Sequence, residues 1–212
     1  MAHIVITSGP TRQYLDPVRY LTNASSGRMG QALANAALKL GHRVTIVTGP
    51  VQVEYPRTAK IIRVITTHEM LEAAKSAFED ADGLIGAAAP CDYQPRQVHQ
   101  QKLSKTGQPL TLELIETPDI VATLALSKRA AQWVVGFALE TEDRRFRATV
   151  KLQKKSCDLM VSNGPTAIDS TSNEVEIIDS DGQVLATISG TKTKVANGIL
   201  KLVQQKLIHP KK

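Results

Sequence analysis

The alternation of short β-branched runs, too apolar for half-exposed strands, with longer amphipathic ones is what most constrains this chain. Ile4 to Thr7, Arg43 to Thr48, Ile61 to Ile65, Gly83 to Ala87 and Trp133 to Phe137 are rich in β-branched residues. A strand with one face in water alternates polar and apolar positions. These runs do not, so they belong to strands covered on both faces, as in a parallel sheet. Between them, Gly30 to Leu40, His68 to Glu79, Pro118 to Leu126 and Glu142 to Lys155 carry apolar residues at helical spacing. Parallel strands require crossovers, and helices of this length supply them. The expected fold class is α/β, a Rossmann-like, doubly wound, mostly parallel sheet. After Leu159 to Ser162 the pattern changes. Glu174 to Ile178 and Val184 to Ile188 flank Asp179-Ser180-Asp181-Gly182-Gln183, a hairpin signal. A final helix over roughly Thr193 to Leu207 completes a C-terminal β-hairpin and helix. The tail His209-Pro210-Lys211-Lys212 is expected to fray. A length of 212 residues fits one domain, 1–212.

Composition narrows the function classes. With 42% hydrophobic and 22% charged residues, disordered and fibrous classes are excluded. Lys and Arg total 26 against 20 Asp and Glu, a formal charge of +6 that favours anionic partners. No apolar run approaches the roughly 20 residues of a membrane helix, and Met1-Ala2-His3 leads straight into a strand-like segment. A cytoplasmic protein with no membrane partner is expected. Cys91 and Cys157 lie in no CxxC or Cys/His spacing, which argues against structural zinc. The five histidines show no ligand spacing, and no GxSxG or Ser-His-Asp arrangement occurs, which argues against hydrolysis by an activated serine.

Two segments fit no regular element. Gly9 to Arg28 is a long polar loop between the first strand and first helix, where ligands of α/β sheets bind. Ala89 to Leu110 holds Pro90, Pro95, Lys102 and Lys105 without periodic pattern. Within the first, Ser25-Ser26-Gly27-Arg28-Met29-Gly30 opens a helix whose unpaired amides suit a phosphate or carboxylate, or else a plain capped start. A dinucleotide site would want an acidic residue ending the second strand; that strand ends Val47-Thr48-Gly49-Pro50 instead. No GxxxxGK[ST] phosphate loop occurs.

Further candidates each carry a bland alternative. Asn23 can donate and accept hydrogen bonds, or simply make a turn. Asp92 follows an apolar strand and could accept ribose hydroxyls. Lys102 and Lys105 could neutralise phosphate or an oxyanion, or be solvated surface. Thr117-Pro118-Asp119-Ile120-Val121 reads as a helix start with Thr117 as cap, Pro118 at the first helical position and Asp119 complementing the dipole; the amides of Ile120 and Val121 also suit a triphosphate or a base edge. Phe137 could pack on a base or fill the core. Arg144, Arg147, Lys151 and Lys155, spaced 3, 4 and 4, form one basic stripe, facing either solvent or phosphate.

Taken in order, Thr7-Ser8-Gly9-Pro10-Thr11-Arg12, Asp16-Pro17-Val18-Arg19-Tyr20, Asn23 to Gly30, Asp92-Tyr93, Lys102-Leu103-Ser104-Lys105, Pro118 to Val121, Gly136 to Thr141 and Lys155 to Leu159 resemble the phosphopantothenate-cysteine ligase family of coenzyme A biosynthesis. The resemblance spans nearly the whole chain. It implies that CTP, with Mg²⁺, activates 4′-phosphopantothenate as an acyl-cytidylate, from which the amine of L-cysteine displaces CMP. It further implies that Gly86, Ala87, Ala88 and Asp92 line the cytidine and ribose site, with Phe137 beside the nucleotide. Pro118, Asp119, Ile120, Val121, Lys151 and Lys155 would contact base or phosphates. Asn23 would hold the acyl group and Lys102 would neutralise charge during activation; metal ligands are not assigned.

Family members are often fused to a flavin-dependent decarboxylase, whose half is not seen in this sequence. No flavin is therefore expected, a separate decarboxylase is a conceivable partner, and a homodimer is implied. The sequence departs from the family pattern at Ser104 in the lysine cluster, at Pro90-Cys91, at Leu139 and in the absence of Phe before Asn173. Two other readings are a nicotinamide-dependent reductase, opposed by the missing acidic residue, and a nucleotide or RNA-binding module. The latter rests on charge alone and is opposed by an aromatic content of 4%, so no nucleic-acid partner is expected.

Overall fold

The computed structural model describes residues 1–139, 143–164 and 172–210. The chain begins with β1 (His3–Ser8), a small hairpin of β2 (Arg12–Tyr14) and β3 (Tyr20–Thr22), then α1 (Arg28–Lys39) and β4 (Arg43–Thr48). It continues through β5 (Lys60–Arg63), α2 (Thr67–Glu79), β6 (Gly83–Gly86), β7 (Tyr93–Pro95), β8 (Leu114–Glu116) and α3 (Ile120–Leu126). Last come β9 (Trp133–Leu139), α4 (Arg144–Lys154), β10 (Leu159–Asn163), β11 (Ser172–Asp179), β12 (Val184–Thr191) and α5 (Lys192–Val203). The final helix runs on as a π-helical turn, Gln204–Ile208.

Eight strands form one sheet in the order β12-β11-β10-β9-β6-β1-β4-β5. From β5 to β10 every neighbouring pair is parallel; β11 and β12 add an antiparallel hairpin at one edge. This is the doubly wound sheet with C-terminal hairpin and helix that the alternation predicts. β1 is buried on both faces because Ile4 and Ile6 belong to the core layer built with α1 and α5, while Val5 belongs to the layer built with α2 and α3. Leu33, Ala37 and Ile199 cover the first face; Met70, Leu124 and Leu152 cover the second. Each such large side chain contributes about 1.5–3 kcal/mol by leaving water. At the hairpin turn Asp179 Oδ1 accepts from Asp181 N at 3.1 Å and Gln183 N at 2.9 Å, with Gly182 at φ 78°.

Three local expectations need correction. The Gly9–Arg28 segment is not all loop but contains the β2–β3 hairpin, and Tyr93–Pro95 in the second segment pairs with Leu114–Glu116. Strands of three residues are too short to show a period. The α3 cap is Asp119, whose Oδ1 accepts from Ala122 N at 3.0 Å, so the helix starts at Ile120 and Pro118 lies outside it. Thr117 instead donates its hydroxyl to Cys91 O at 2.5 Å. Residues 140–142, the end of one family motif and the expected start of α4, lie outside the described residues, as do Lys211 and Lys212.

Candidate active site

The chain leaves β1 toward β4 on one side and reaches β6 on the other, so the crevice outside these carboxyl ends is the topological switch point of the sheet. A cleft of about 510 Å³ lies there. Its walls are the residue 23–30 segment, the Ala87–Asp92 turn after β6, and the ends of β9 and β10. After β6 the chain is strapped along the first loop: Ala87 N donates to Thr7 O at 3.2 Å, Ala89 N to Gly9 O at 2.9 Å and Cys91 N to Thr11 Oγ1 at 2.8 Å. Burial raises the pKa of the Cys91 thiol, and burial pushes Cys157 up to about 12, so neither is a ready nucleophile.

The helix entering this cleft is built for close approach. Gly27 caps α1 with φ 74°, no side chain caps the first turn, and no acidic residue occupies it. Its first amides therefore face the cleft side with the positive end of the helix dipole. A Cβ at Gly30 would lie 2.0 Å from Ser8 Oγ, so only glycine lets α1 come down on the end of β1.

Of the residues singled out by sequence, Asn23, Ala87, Ala88, Asp92, Phe137 and Lys151 line the cleft. Asn23 points its Nδ2 at the carbonyls of Pro90, 2.9 Å, and Ala89, 3.3 Å, tying the two loops together and turning Oδ1 away from them. Asp92 is the one carboxylate among the described lining residues. Gly86, Pro118, Asp119, Ile120 and Val121 are not among the cleft-lining residues: Ile120 is buried, Asp119 is exposed, and a Cβ at Gly86 would come within 2.4 Å of Val121 Cγ2. The basic stripe divides. Lys151 reaches the cleft, whereas Lys155 pairs with Asp119 at 2.9 Å.

Lys102 and Lys105 are exposed and not among the cleft-lining residues. The loop carrying them is nevertheless anchored. The buried carboxylate of Asp16 accepts from Val18 N at 2.8 Å, Arg19 N and Nε at 2.9 Å each, and Leu103 N at 3.2 Å. Arg19 in turn donates to Leu103 O at 2.5 Å. Burial alone would raise the Asp16 pKa, but these donors hold it well below the usual carboxylate range. The residue next to Lys102 is thus fixed to the first loop through an ionised Asp16.

Three lining residues escaped the sequence reading: Asn163, Asn173 and Lys192. Asn163 ends β10, and the rule that strand ends carry ligands could have found it. Asn173 and Lys192 arrive on the antiparallel hairpin and the start of α5, which only the tertiary fold brings round. Asn163 Oδ1 and Asn173 Nδ2 are buried without a hydrogen-bond partner among the described residues, so a polar group entering the cleft there could bond both.

Comparison with known proteins settles the lineage. Residues 1–207 match the DNA/pantothenate metabolism flavoprotein C-terminal domain. The chain belongs to that family. Among its relatives, the coenzyme A biosynthesis bifunctional protein CoaBC of Vibrio vulnificus is 39% identical over 212 residues, covering 97% of this chain and 53% of that protein. The chain thus spans about half the length of the curated relatives it matches. The crystal structure of the C-terminal domain of a CoaBC superposes with TM-score 0.83 at 35% identity, covering 99% of this chain and 97% of that one. A mutant of Cab2 in complex with phosphopantothenate-cysteine shares the fold, with TM-score 0.79 at 16% identity over 95% of this chain and 85% of that one. Within the flavoprotein C-terminal domain family, the Asp158 position of the Lys155–Leu159 motif has a structural role here: it accepts from Val134 N at 2.7 Å and Lys128 Nζ at 2.6 Å, registering β10 on β9.

Proposed function

We propose that this chain joins 4′-phosphopantothenate to L-cysteine in coenzyme A biosynthesis, using CTP. The observation that carries the reading is the meeting of three of the family's motifs, Asn23 to Gly30, Asp92 and the Phe137 strand end, at one cleft, where a helix start without a side-chain cap, Lys151, Asp92 and Asn23 surround a space for a nucleotide. In the first step a carboxylate oxygen attacks the α-phosphorus of CTP, and the P–O bond to pyrophosphate breaks. In the second the cysteine nitrogen attacks the acyl carbon, CMP leaves with the bonding pair, and the nitrogen sheds a proton. Neither step needs covalent attachment to the protein. Positioning and charge neutralisation are the requirements.

In this reading Asp92 accepts from the ribose, Phe137 packs beside the nucleotide, and Lys151 with the α1 amides faces phosphate oxygens. Asn23 holds the acyl group near the α1 start, and Lys102, on the loop Asp16 anchors, neutralises charge in the activation step. Mg²⁺ is typically held by one or two carboxylates plus substrate phosphates. With Asp92 given to the ribose, the unpartnered Oδ1 of Asn163 is the cleft oxygen that would help the substrate phosphates hold the ion. Bound there it would offset the triphosphate charge. A homodimer, a cytoplasmic location, and association with a flavin-dependent decarboxylase belong to the same proposal; the relatives' bifunctional character supports the last. Among the described residues no helix is long and apolar enough to cross a membrane.

The test is to combine protein, Mg²⁺, 4′-phosphopantothenate, cysteine and each nucleoside triphosphate in turn, and to assay pyrophosphate and nucleoside monophosphate. CMP and pyrophosphate in equal amounts are expected with CTP. No CMP under any condition would remove the reading.

A further inference from the structure

A second cavity, about 900 Å³, lies on the far side of the residue 23–28 loop from the cleft. The carboxyl ends of β4 and β5 bound it, at Gly49 to Val53 and Arg63 to Ile65. The fit there is tight: a Cβ at Gly49 would lie 1.5 Å from the Pro10 carbonyl oxygen. The charged lining consists of Arg12, Arg28 and Arg63, with no carboxylate among the described lining residues. None of the three has an acidic partner among the described residues. Arg12 is held in place, its Cζ 4.4 Å above the centre of the Tyr20 ring, which meets Tyr14 edge-on at 5.5 Å. Three unpaired guanidiniums around one space repel one another, and an anion with several oxygens relieves that repulsion while filling their forked donors.

The position adds a second constraint. In a Rossmann-like sheet the space outside the second parallel strand, reached from the first loop, takes the ribose of a nucleotide. A carboxylate there receives the free 2′-hydroxyl, whereas an arginine receives a phosphate carried on the sugar. Here β4 ends without a carboxylate and arginines surround the space. The apolar strip of Val51, Val53 and Ile65 beside them can take a base.

We propose that this cavity is a second nucleotide site, separate from the cleft, selective for a nucleotide whose ribose bears a phosphate monoester, with Arg12 and Arg63 on that phosphate. The site does not rest on the ligase reading: it shares Asn23 to Ser26 and Arg28 with the cleft, while Arg12, Arg63 and the Gly49–Val53 wall belong to it and not to the cleft.

Isothermal titration of the full chain with adenosine 2′,5′-bisphosphate, adenosine 5′-monophosphate and inorganic phosphate tests it. The bisphosphate is expected to bind at least about tenfold more tightly than either other compound, equivalent to ~1.4 kcal/mol. That advantage is expected to persist with CTP present and to vanish in Arg12→Gln/Arg63→Gln. Should the double variant not fold, Arg63→Gln alone, at an exposed strand end, is expected to reduce the advantage severalfold. Equal binding of the two nucleotides, inorganic phosphate binding as tightly as the bisphosphate, displacement by CTP, or an advantage that survives the substitutions overturns the proposal. CTP binding is titrated first; its failure counts against the ligase reading and leaves the variant comparison intact.

Discussion

Gly86→Ala isolates the contact that sets α3 against the strand ends. The glycine ends β6 outside the left-handed region, so alanine suits the backbone and the whole effect is steric. Its Cβ would lie 2.4 Å from Val121 Cγ2, whereas carbon atoms rest at about 3.5–4.0 Å, so one side must retreat by roughly 1.1–1.6 Å. Val121 is β-branched and in the first turn of a helix, where essentially one rotamer is open to it. It cannot swing aside, and α3 must move off β6. Overpacking of this kind costs about 1–3 kcal/mol. In a chain of this size each kcal/mol lowers the unfolding midpoint by about 2–4 °C, so a drop of about 2–12 °C is expected by calorimetry. Gly86 leads straight into the Ala87–Asp92 turn that walls the cleft, and displacements near 1 Å in a positioning element cost up to about 10²-fold in rate. Pyrophosphate release should therefore fall at least about tenfold. The control is Gly86→Ala/Val121→Ala, which removes Cγ2 and should recover part of both losses. An unchanged midpoint and unchanged CTP dependence in the single variant would refute the packing argument; failure of the second substitution to rescue would refute the assigned contact.

Asn23→Ala is expected to leave the midpoint within about 1 °C, since it removes only solvent-exposed hydrogen bonds, while product formation falls by about two orders of magnitude or more. Normal turnover would remove Asn23 from the mechanism. Lys102→Gln should slow pyrophosphate release measured without cysteine by at least about tenfold. Asp16→Asn turns an amide donor toward the donors of Val18, Arg19 and Leu103, so it should reproduce the Lys102→Gln defect. If Asp16 acts through that loop, the double variant is no slower than Lys102→Gln alone, whereas fully additive losses would show two separate roles. His42 tests pH dependence: burial first, then the positive N-terminus and His209, hold its pKa below the usual 6.5. The unfolded chain thus takes the proton first, so stability is present above about pH 6.5 and lost as pH falls toward the folded-state pKa. Denaturant midpoints measured from pH 7 to 5 should fall less steeply in His42→Gln than in the parent, and equal slopes would reject the assignment.

The period of the apolar residues was enough to determine the layers of this protein. A run such as Ile4 to Thr7, apolar on both faces, has one stable environment, between two layers of helices, and right-handed crossovers then leave few ways to order the strands. The end of β1 and the turn after β6 were legible as ligand positions for the same reason, since every parallel strand presents its carboxyl end on one side of the sheet. Asn23, Ala87, Asp92 and Phe137 follow from that rule and from the family motifs, and all line the cleft. What periodicity cannot carry is contact between distant, irregular segments. The β2–β3 hairpin is too short to show a repeat, and the bond from Leu103 to Asp16 joins two loops 87 residues apart. Asn173 reaches the cleft only because β11 folds back antiparallel on β10. The division between Lys151, in the cleft, and Lys155, paired with Asp119, is likewise invisible in a regular spacing of 4. A helical stripe fixes which side chains share a face, while the partner each one meets depends on what the rest of the chain has packed there.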